Sequence, residues 1–166
     1  MAISSNRPVK ATKIWDEIIV QVDANESAIT TLQSDVTTLE TNATKTVVTD
    51  VDASAGGTAE TTAIATIPAN SLLLNVTAVV TTPFDGDATT TAEVGIATNA
   101  DAYIDTSDFD PSAGAGTQAS SLNGATNDVK TAQYLSAETD IIATWTNTAS
   151  MTAGEVKVIV TYVELA

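Results

Sequence analysis

Apolar residues recur at alternating spacings of three and four between Trp15 and Thr46, and this pattern constrains the fold most strongly. Such spacing places them at the a and d positions of a heptad repeat, which form the seam of a left-handed coiled coil. The residues between them are mostly polar, as the solvated surface of a coiled coil requires. The a positions are Trp15, Val22, Ile29, Val36 and Ala43, and the d positions are Ile18, Asn25, Leu32, Leu39 and Thr46.

A single helix of this kind cannot bury its apolar stripe, so the pattern predicts self-association. The alternative is one amphipathic helix that lies on its own domain. β-Branched residues at a with Leu at d are typical of dimers, but this seam also contains Trp, Asn, Ala and Thr, and the number of strands stays open. Asn25 either fixes the register of the coil or marks a local break in it. The residues predicted to hold the copies together are Val22, Asn25, Ile29, Leu32, Val36 and Leu39.

The charge of the chain is unevenly distributed. The formal net charge is −15, yet residues 1–13 contain Arg7, Lys10 and Lys13 and no acid. An acidic surface repels phosphate backbones, so nucleic acid is not an expected partner. Pro8 and the polar residues before it predict a non-helical arm until about Ala11, with Thr12 as the helix cap. A basic arm before an oligomeric rod is typical of a docking peptide, with Trp15 beside it. The alternative is a disordered tail.

The chain has no Cys and no His, which excludes thiol nucleophiles, imidazole bases and His or Cys metal sites. No phosphate loop or serine-centred motif occurs, and a carboxylate pair for glycoside hydrolysis has little aromatic surface around it. The sequence therefore predicts no enzyme and no cofactor. It also contains no signal peptide and no apolar run that could span a membrane.

After Ala43 the apolar period changes from that of a helix to that of a strand. Val47–Val51 leads into a Gly-rich joint at residues 53–58, and alternating patterns then follow with turn residues between them. About eight strands over 120 residues predict an antiparallel β-sandwich, with a jelly roll as the favoured topology. The predicted inward faces are Leu72, Leu74, Val76, Ala78 and Val80; Ala92, Val94 and Ile96; Ile141, Ala143 and Trp145; and Val156, Val158, Val160 and Tyr162. Shorter candidate strands are Thr61–Ile67, Ala102–Asp105 and Val129–Leu135.

Three loop segments are candidate sites. Asp85-Gly86-Asp87 has the composition of a hairpin turn. Asp105, Asp108 and Asp110 could offer oxygens to Ca²⁺, but the segment lacks the Glu and Gly of an EF-hand, which favours a solvated loop. Residues 110–128 form a long loop of Gly, Ala, Ser and Asn, which is typical of an exposed tip or a strap over a neighbouring subunit.

The chain resembles virion proteins of tailed bacteriophages. The Thr-rich coil Ile29–Glu40 is similar to those of phage fibres, and the segments Ile67–Gly86 and Gly154–Tyr162 are similar to strand-and-turn segments of fibre and head-decoration proteins. The resemblance implies a homotrimer whose N-terminal end attaches to the particle, and whose β domain projects outward. The implied partners are further copies of the chain and a major capsid protein or another virion protein.

These observations predict three regions: a docking arm at 1–13, a coiled-coil helix at 14–46 and a β-sandwich at 47–166. The predicted function is that of a trimeric decoration or head-fibre protein on the surface of a phage capsid. The alternative is a short tail fibre or receptor-binding protein whose β domain recognises a glycan of the host surface. Copy number separates the two, because a decoration protein is present in many tens of copies per particle and a tail tip in few.

Overall fold

The computed structural model describes residues 9–41, 43–52, 59–85, 90–122, 132–147 and 151–165. The chain divides into two compact units, Met1–Glu40 and Thr41–Ala166. The first contains helix α1, Val9–Thr41. The second contains nine strands among the described residues, so the prediction of a mainly β chain with an N-terminal helix is confirmed. The strands are β1 Thr44–Asp52, β2 Ala59–Ile67, β3 Ser71–Thr82, β4 Thr91–Ile96, β5 Asn99–Ile104, β6 Gln118–Ser120, β7 Gln133–Leu135, β8 Thr139–Thr146 and β9 Glu155–Glu164.

The helix differs from the predicted rod at both ends. It begins at Val9, so Lys10 and Lys13 are helical and Thr12 lies within the helix, where it does not act as the cap. A proline is tolerated in the first turn of a helix, and Pro8 therefore does not prevent a helix that begins beside it. At the other end α1 stops at Thr41, and Ala43 and Thr46 lie outside it.

The strands form two antiparallel sheets, as the alternating patterns predicted. Sheet 1 has the order β1-β9-β3-β6, and β7 also pairs with β3. Sheet 2 has the order β2-β8-β4-β5. Every described strand pair is antiparallel. Because β9 pairs along β3 from Ser71 to Thr82, β6 and β7 lie one after the other along the other side of β3.

Both sheets contribute side chains to one apolar core. The predicted inward faces of β8 and β9 are confirmed, because every one of these residues is buried. Val94 of β4 is buried as well, and Ala92 and Ile96 pack against the core. Alternation gives a strand one apolar face, and burial of that face is the main favourable contribution to the folding of this unit. The confirmed residues of β8 and β9 are Ile141, Ala143, Trp145, Val156, Val158, Val160 and Tyr162.

The predicted inward face of β3 is wrong over its first half. Ser71 and Leu73 are buried, whereas Leu72 and Leu74 are only partly buried. The pairing with β9 shifts between Leu73 and Asn75, which indicates a β-bulge at Leu74. One extra residue reverses the face on which the alternation lies, so the pattern cannot be extrapolated through it.

Two strands lie where none was predicted. β1 occupies Thr44–Asp52, which the prediction divided between the rod and a connection; the joint at 53–58 lies outside the described residues. β6 lies within the predicted loop at 110–128, of which residues 123–128 are also outside the described part. The third correction concerns Asp85-Gly86-Asp87. Only Asp85 of this segment is described, and Gly86 and Asp87 lie outside the described residues; the flanking strands β3 and β4 belong to different sheets and do not form a hairpin.

Side-chain hydrogen bonds join the two sheets at both of their edges. On one side, the Thr49 hydroxyl of β1 donates to the carbonyl of Ile64 in β2 at 2.8 Å. On the other, the Tyr103 hydroxyl of β5 donates to the side chain of Gln133 in β7 at 3.1 Å. Burial raises the pKa of Tyr103, which keeps it protonated as the donor. These bonds satisfy polar groups of the kind that edge strands leave unpaired.

Candidate functional site

The strongest candidate site in the described residues is the apolar stripe of α1. All the helix side chains that the structure describes are exposed, including the apolar ones. The exposed fraction is 53% for Ile29, 62% for Leu32 and 72% for Leu39. Val22 and Val36 are also exposed, so the stripe is not buried within the helical unit.

The composition of α1 indicates that it depends on a partner. Fourteen of its 33 residues are Val, Ile or Thr, which lose side-chain freedom in a helix. Isolated helices are marginal in water even with better helix formers. Packing of the stripe against another surface would supply stabilisation that intrinsic propensity does not.

The Thr residues of α1 have hydrogen bonds within the helix. The hydroxyls of Thr30, Thr31, Thr37 and Thr38 each donate to the carbonyl four residues earlier, at 2.9–3.0 Å. These residues lie at the b and c heptad positions, on the outer side of the helix and away from the seam. Their hydroxyls therefore need no partner from another chain, and the a and d positions present the unpaired surface.

Asn25 is the polar position in the middle of the stripe. It is exposed, and its side-chain oxygen accepts a hydrogen bond from the Gln21 amide at 3.3 Å. In the heptad numbering Asn25 lies on the same stripe as Ile29 and Leu32.

The predicted docking residues are only partly described. Lys13 is exposed on the first turns of α1. Arg7 lies outside the described residues, and the side chains of Lys10 and Trp15 are also outside the described part. Ile14, Ile19 and Val20 lie off the a and d positions and are 55%, 55% and 67% exposed. The N-terminal part of α1 therefore presents more apolar surface than a two-position seam uses.

The acidic segment considered for Ca²⁺ forms local turns. One carboxylate oxygen of Asp105 accepts bonds from the amide and hydroxyl of Ser107, both at 2.7 Å. Asp110 holds Ser112 in the same way at 2.9 and 2.6 Å, and these bonds lower the pKa of Asp110, the Ser112 hydroxyl most strongly. Across the described residues, no three acidic side chains come together as a metal site.

Asp85 holds the loop between β8 and β9. Its carboxylate accepts bonds from the amides of Thr152 at 2.8 Å and Ala153 at 3.0 Å, and from the Thr152 hydroxyl. The Thr152 hydroxyl has the largest effect in lowering the pKa of Asp85. The sequence placed Asp85 in a turn but gave no signal for this contact 67 residues away. The Asp85 carboxylate thus fixes the conformation of this loop, which is a structural role.

Two further observations concern the described residues. The pKa of Glu93 on β4 is raised, first by burial and then by the charges of Asp101 and Asp105, and no metal-binding cluster of acidic side chains occurs among the described residues. No described helix combines the length and hydropathy needed to cross a membrane.

No family model matches the chain, and no curated protein matches it. Solved structures do. A chain of the cyanophage Pam1 capsid asymmetric unit superposes with a TM-score of 0.57 at 22% identity, over 74% of this chain and 85% of that chain. A chain from the acid-stable capsid of Helicobacter pylori bacteriophage KHP30 gives a TM-score of 0.46 at 12% identity, over 72% and 86%. A chain from the capsid of Ralstonia phage GP4 gives 0.45 at 14% identity, over 76% and 87%.

The comparison with the Pam1 chain bears on the fold. The same aligned stretch is 74% of one chain and 85% of the other, so the two chains are of similar length. The matched chain is a component of the Pam1 capsid. The chain thus has a fold that also occurs in a component of the cyanophage Pam1 capsid.

Proposed function

We propose that this chain is a non-enzymatic structural protein of a phage virion: a homotrimeric decoration or head-fibre protein that is anchored to the capsid by its N-terminal end. The observation that carries the proposal is the shared fold with a chain of similar length in the Pam1 capsid. A short chain in a capsid assembly is suited to covering or reinforcing a shell. The resemblance of the coil and β segments to phage virion proteins supports the same role.

The strand order supports a jelly roll for the β domain. β6 and β7 pair with different parts of β3, residues 77–79 and 71–73, so they occupy one strand position in series. If β6 and β7 share position 6, β8 takes position 7 and β9 takes position 8. The orders of the two sheets are then 1-8-3-6 and 2-7-4-5. This interleaving of early and late strands is the arrangement of an eight-stranded jelly roll, a fold of many viral capsid domains.

Trimerisation is proposed through the apolar stripe of α1. Val22, Ile29, Leu32, Val36 and Leu39 are exposed on one stripe, and burial against other copies would remove that surface from water. Three copies rather than two follow from the resemblance to phage fibre coils. Asn25 in this seam disfavours other registers, because a shifted register leaves its amide opposite apolar side chains.

Attachment is proposed through the N-terminal end. Arg7, Lys10 and Lys13 provide half of the six basic residues of a chain with net charge −15. Trimerisation would bring three such sets together beside Trp15 and the exposed Ile19. Arg and Trp are enriched among the residues that dominate binding energies, and a basic cluster complements an acidic surface.

The test is incorporation into phage particles. Particles are assembled with the wild-type chain, with a chain that lacks residues 1–13, and with Lys10→Glu/Lys13→Glu. A Lys130→Glu variant makes the same kind of charge change outside the N-terminal region and serves as the control. Occupancy is measured by electron cryo-microscopy and by quantitative mass spectrometry of purified particles.

The proposal predicts many tens of wild-type copies on the capsid and none of the chain that lacks residues 1–13. The double lysine variant should have reduced occupancy, and the Lys130→Glu control should have full occupancy. Full occupancy of the chain that lacks residues 1–13 would contradict N-terminal anchoring and place the contact on the β domain. A few copies located on the tail would contradict the decoration role and favour a receptor-binding fibre.

A further inference from the structure

The outer face of sheet 1 is uncharged in the rows nearest the start of β1, where apolar side chains lie among Thr, Ser and Asn. Cross-strand pairing aligns the outward side chains in rows, one formed by Val48, Ile159, Thr77 and Ser120 and another by Thr44, Val163, Leu72 and Tyr134. Val48 and Tyr134 are 56% and 55% exposed. The row between these two is Thr46, Thr161 and Asn75. None of the three rows contains a charged residue.

The outer face of sheet 2 has a different chemistry. The hydroxyls of Thr61 and Thr144 lie 3.2 Å apart, and those of Thr91 and Thr146 lie 2.7 Å apart, so they form hydrogen-bonded pairs across strands. Glu93 lies in the same cross-strand row as Thr144. Polar rows with a carboxylate suit water, whereas the rows of sheet 1 leave Val and Tyr side chains exposed.

The sequence contains a signal for this difference. Leu72-Leu73-Leu74 and Ile159-Val160 are adjacent apolar residues, and neighbours on a strand point to opposite faces. Adjacent apolar residues are typical of a strand with both faces covered. Sheet 1 thus has a sequence typical of a sheet that is covered on both faces, whereas Val48 and Tyr134 on its outer face are exposed.

We propose that a second copy of this chain covers the part of this face next to β1, so that neighbouring β domains contact each other directly. This inference rests on the proposed trimer. The helix ends at Thr41 and β1 begins at Thr44, and three residues of extended chain span at most about 11 Å. Copies joined along α1 therefore begin their β1 strands close together, and the contact continues the proposed helical interface.

Charge favours a second copy as the occupant. Each copy has a net charge of −15, so copies repel one another wherever they present acidic surface. The three rows nearest the start of β1 are uncharged. The next row contains Asp50 and Lys157, which form an ion pair with each other. This is the surface on which acidic copies can meet without bringing like charges together.

Hydrogen–deuterium exchange on the full-length chain tests the inference. Among the described strands β1 pairs with β9 alone and is an edge strand, so a contact at this edge should slow exchange of its amides. The wild-type chain is compared with Ile29→Asp/Leu32→Asp, which separates the copies. We expect residues 44–52 to exchange at least about tenfold more slowly in the wild type. Residues 99–104 of β5, an edge strand of sheet 2, are the internal control and should exchange equally in both.

A surface variant provides the second measurement. Val48→Asp should raise the dissociation constant of the trimer at least about tenfold in sedimentation experiments, and Thr61→Asp on the outer face of sheet 2 should leave it unchanged. Equal exchange of β1 in a trimeric wild type and the separated variant would overturn the inference while leaving the proposed trimer intact. A monomeric wild type would instead overturn the proposed trimer and this inference together.

Discussion

The side-chain oxygen of Asn75 accepts a hydrogen bond from the hydroxyl of Ser121, 46 residues later, at 3.0 Å. The Ser121 hydroxyl in turn accepts the backbone N–H of Val76 at 3.1 Å. Asn75 follows the bulge in β3, and Ser121 follows β6 directly. Val76 lies between the parts of β3 that pair with β7 and with β6, so its N–H, which faces that side, has no ladder partner there and bonds to Ser121 instead. The bulge that reverses the face of β3 is thereby tied to the end of a neighbouring strand.

Ser121→Ala should destabilise the β domain. The Ser121 side chain is buried, and its loss leaves the Val76 amide without that acceptor and Asn75 without one of its donors. We expect a loss of about 1–3 kcal/mol in the free energy of unfolding, measured by denaturant titration. Gln118→Ala, an exposed side chain on β6, is the control and should change stability by less than about 0.5 kcal/mol. Equal effects of the two variants would contradict this role of Ser121.

Gly154→Ala should be more damaging than an ordinary glycine substitution. Gly154 has a φ of 147°, and a Cβ there would lie 2.3 Å from Cδ1 of Phe84. Phe84 is buried edge-on against Trp145, so its ring has little room to move. We expect a loss of at least about 2 kcal/mol in the free energy of unfolding. Gly114→Ala, which meets no atom within 4 Å, is the matched control. A Gly154 variant as stable as the Gly114 variant would contradict the packing described.

Asp85 should contribute an acid-sensitive part of the stability. Hydrogen bonds from the Thr152 hydroxyl and the amides of Ala153 and Thr152 lower its pKa below the ordinary 3.8. The unfolded chain therefore binds more protons in this range, and the stability that Asp85 supplies is present above pH 3.8 and lost as pH falls through its folded pKa. Melting temperatures from pH 7 to pH 2 should fall more steeply for the wild type than for Asp85→Asn below about pH 4. Parallel curves would contradict the role of this carboxylate.

Glu93 should have the opposite effect on stability. Burial and the charges of Asp101 and Asp105 raise its pKa above the ordinary 4.5, so the folded chain binds more protons than the unfolded chain in that range. Ionised Glu93 is then unfavourable at neutral pH. We expect Glu93→Gln to melt at a higher temperature than the wild type at pH 7, with the difference vanishing below about pH 4.5. A lower melting temperature for the variant at pH 7 would show that the carboxylate is stabilising.

The long alternating strands could be predicted from sequence, because their pattern is uninterrupted. β8 and β9 keep one inward face from end to end, and each predicted inward residue is buried. The predicted inward face of β3 is correct after the bulge, at Val76, Ala78 and Val80, but wrong before it, because nothing local marks the bulge at Leu74 that the pairing with β9 reveals. A periodic pattern gives faces correctly only where the register is unbroken.

The junction between helix and sheet shows why boundaries are less predictable. Ala43 and Thr46 fit the heptad positions, so the repeat extends into residues that pair with β9. Thr46-Val47-Val48-Thr49 is β-branched throughout, and pairing with β9 favours a strand over a helix here.

The candidate site on α1 was easier to predict than this boundary. The apolar stripe of α1 follows from spacing alone, whereas the rows on the outer face of sheet 1 require the register of four strands.

The mass of the intact chain in solution tests the central claim most directly. Light scattering with size exclusion at micromolar concentration should give three times the chain mass of 17.0 kDa for the wild type. Ile29→Asp/Leu32→Asp should give the mass of one chain, because charges buried in the seam cost several kcal/mol. Ser27→Asp/Ser34→Asp adds the same charge at f positions outside the seam and should stay trimeric. A dimeric mass would change only the number of chains in the proposed coiled coil, whereas a monomeric wild type would contradict the account.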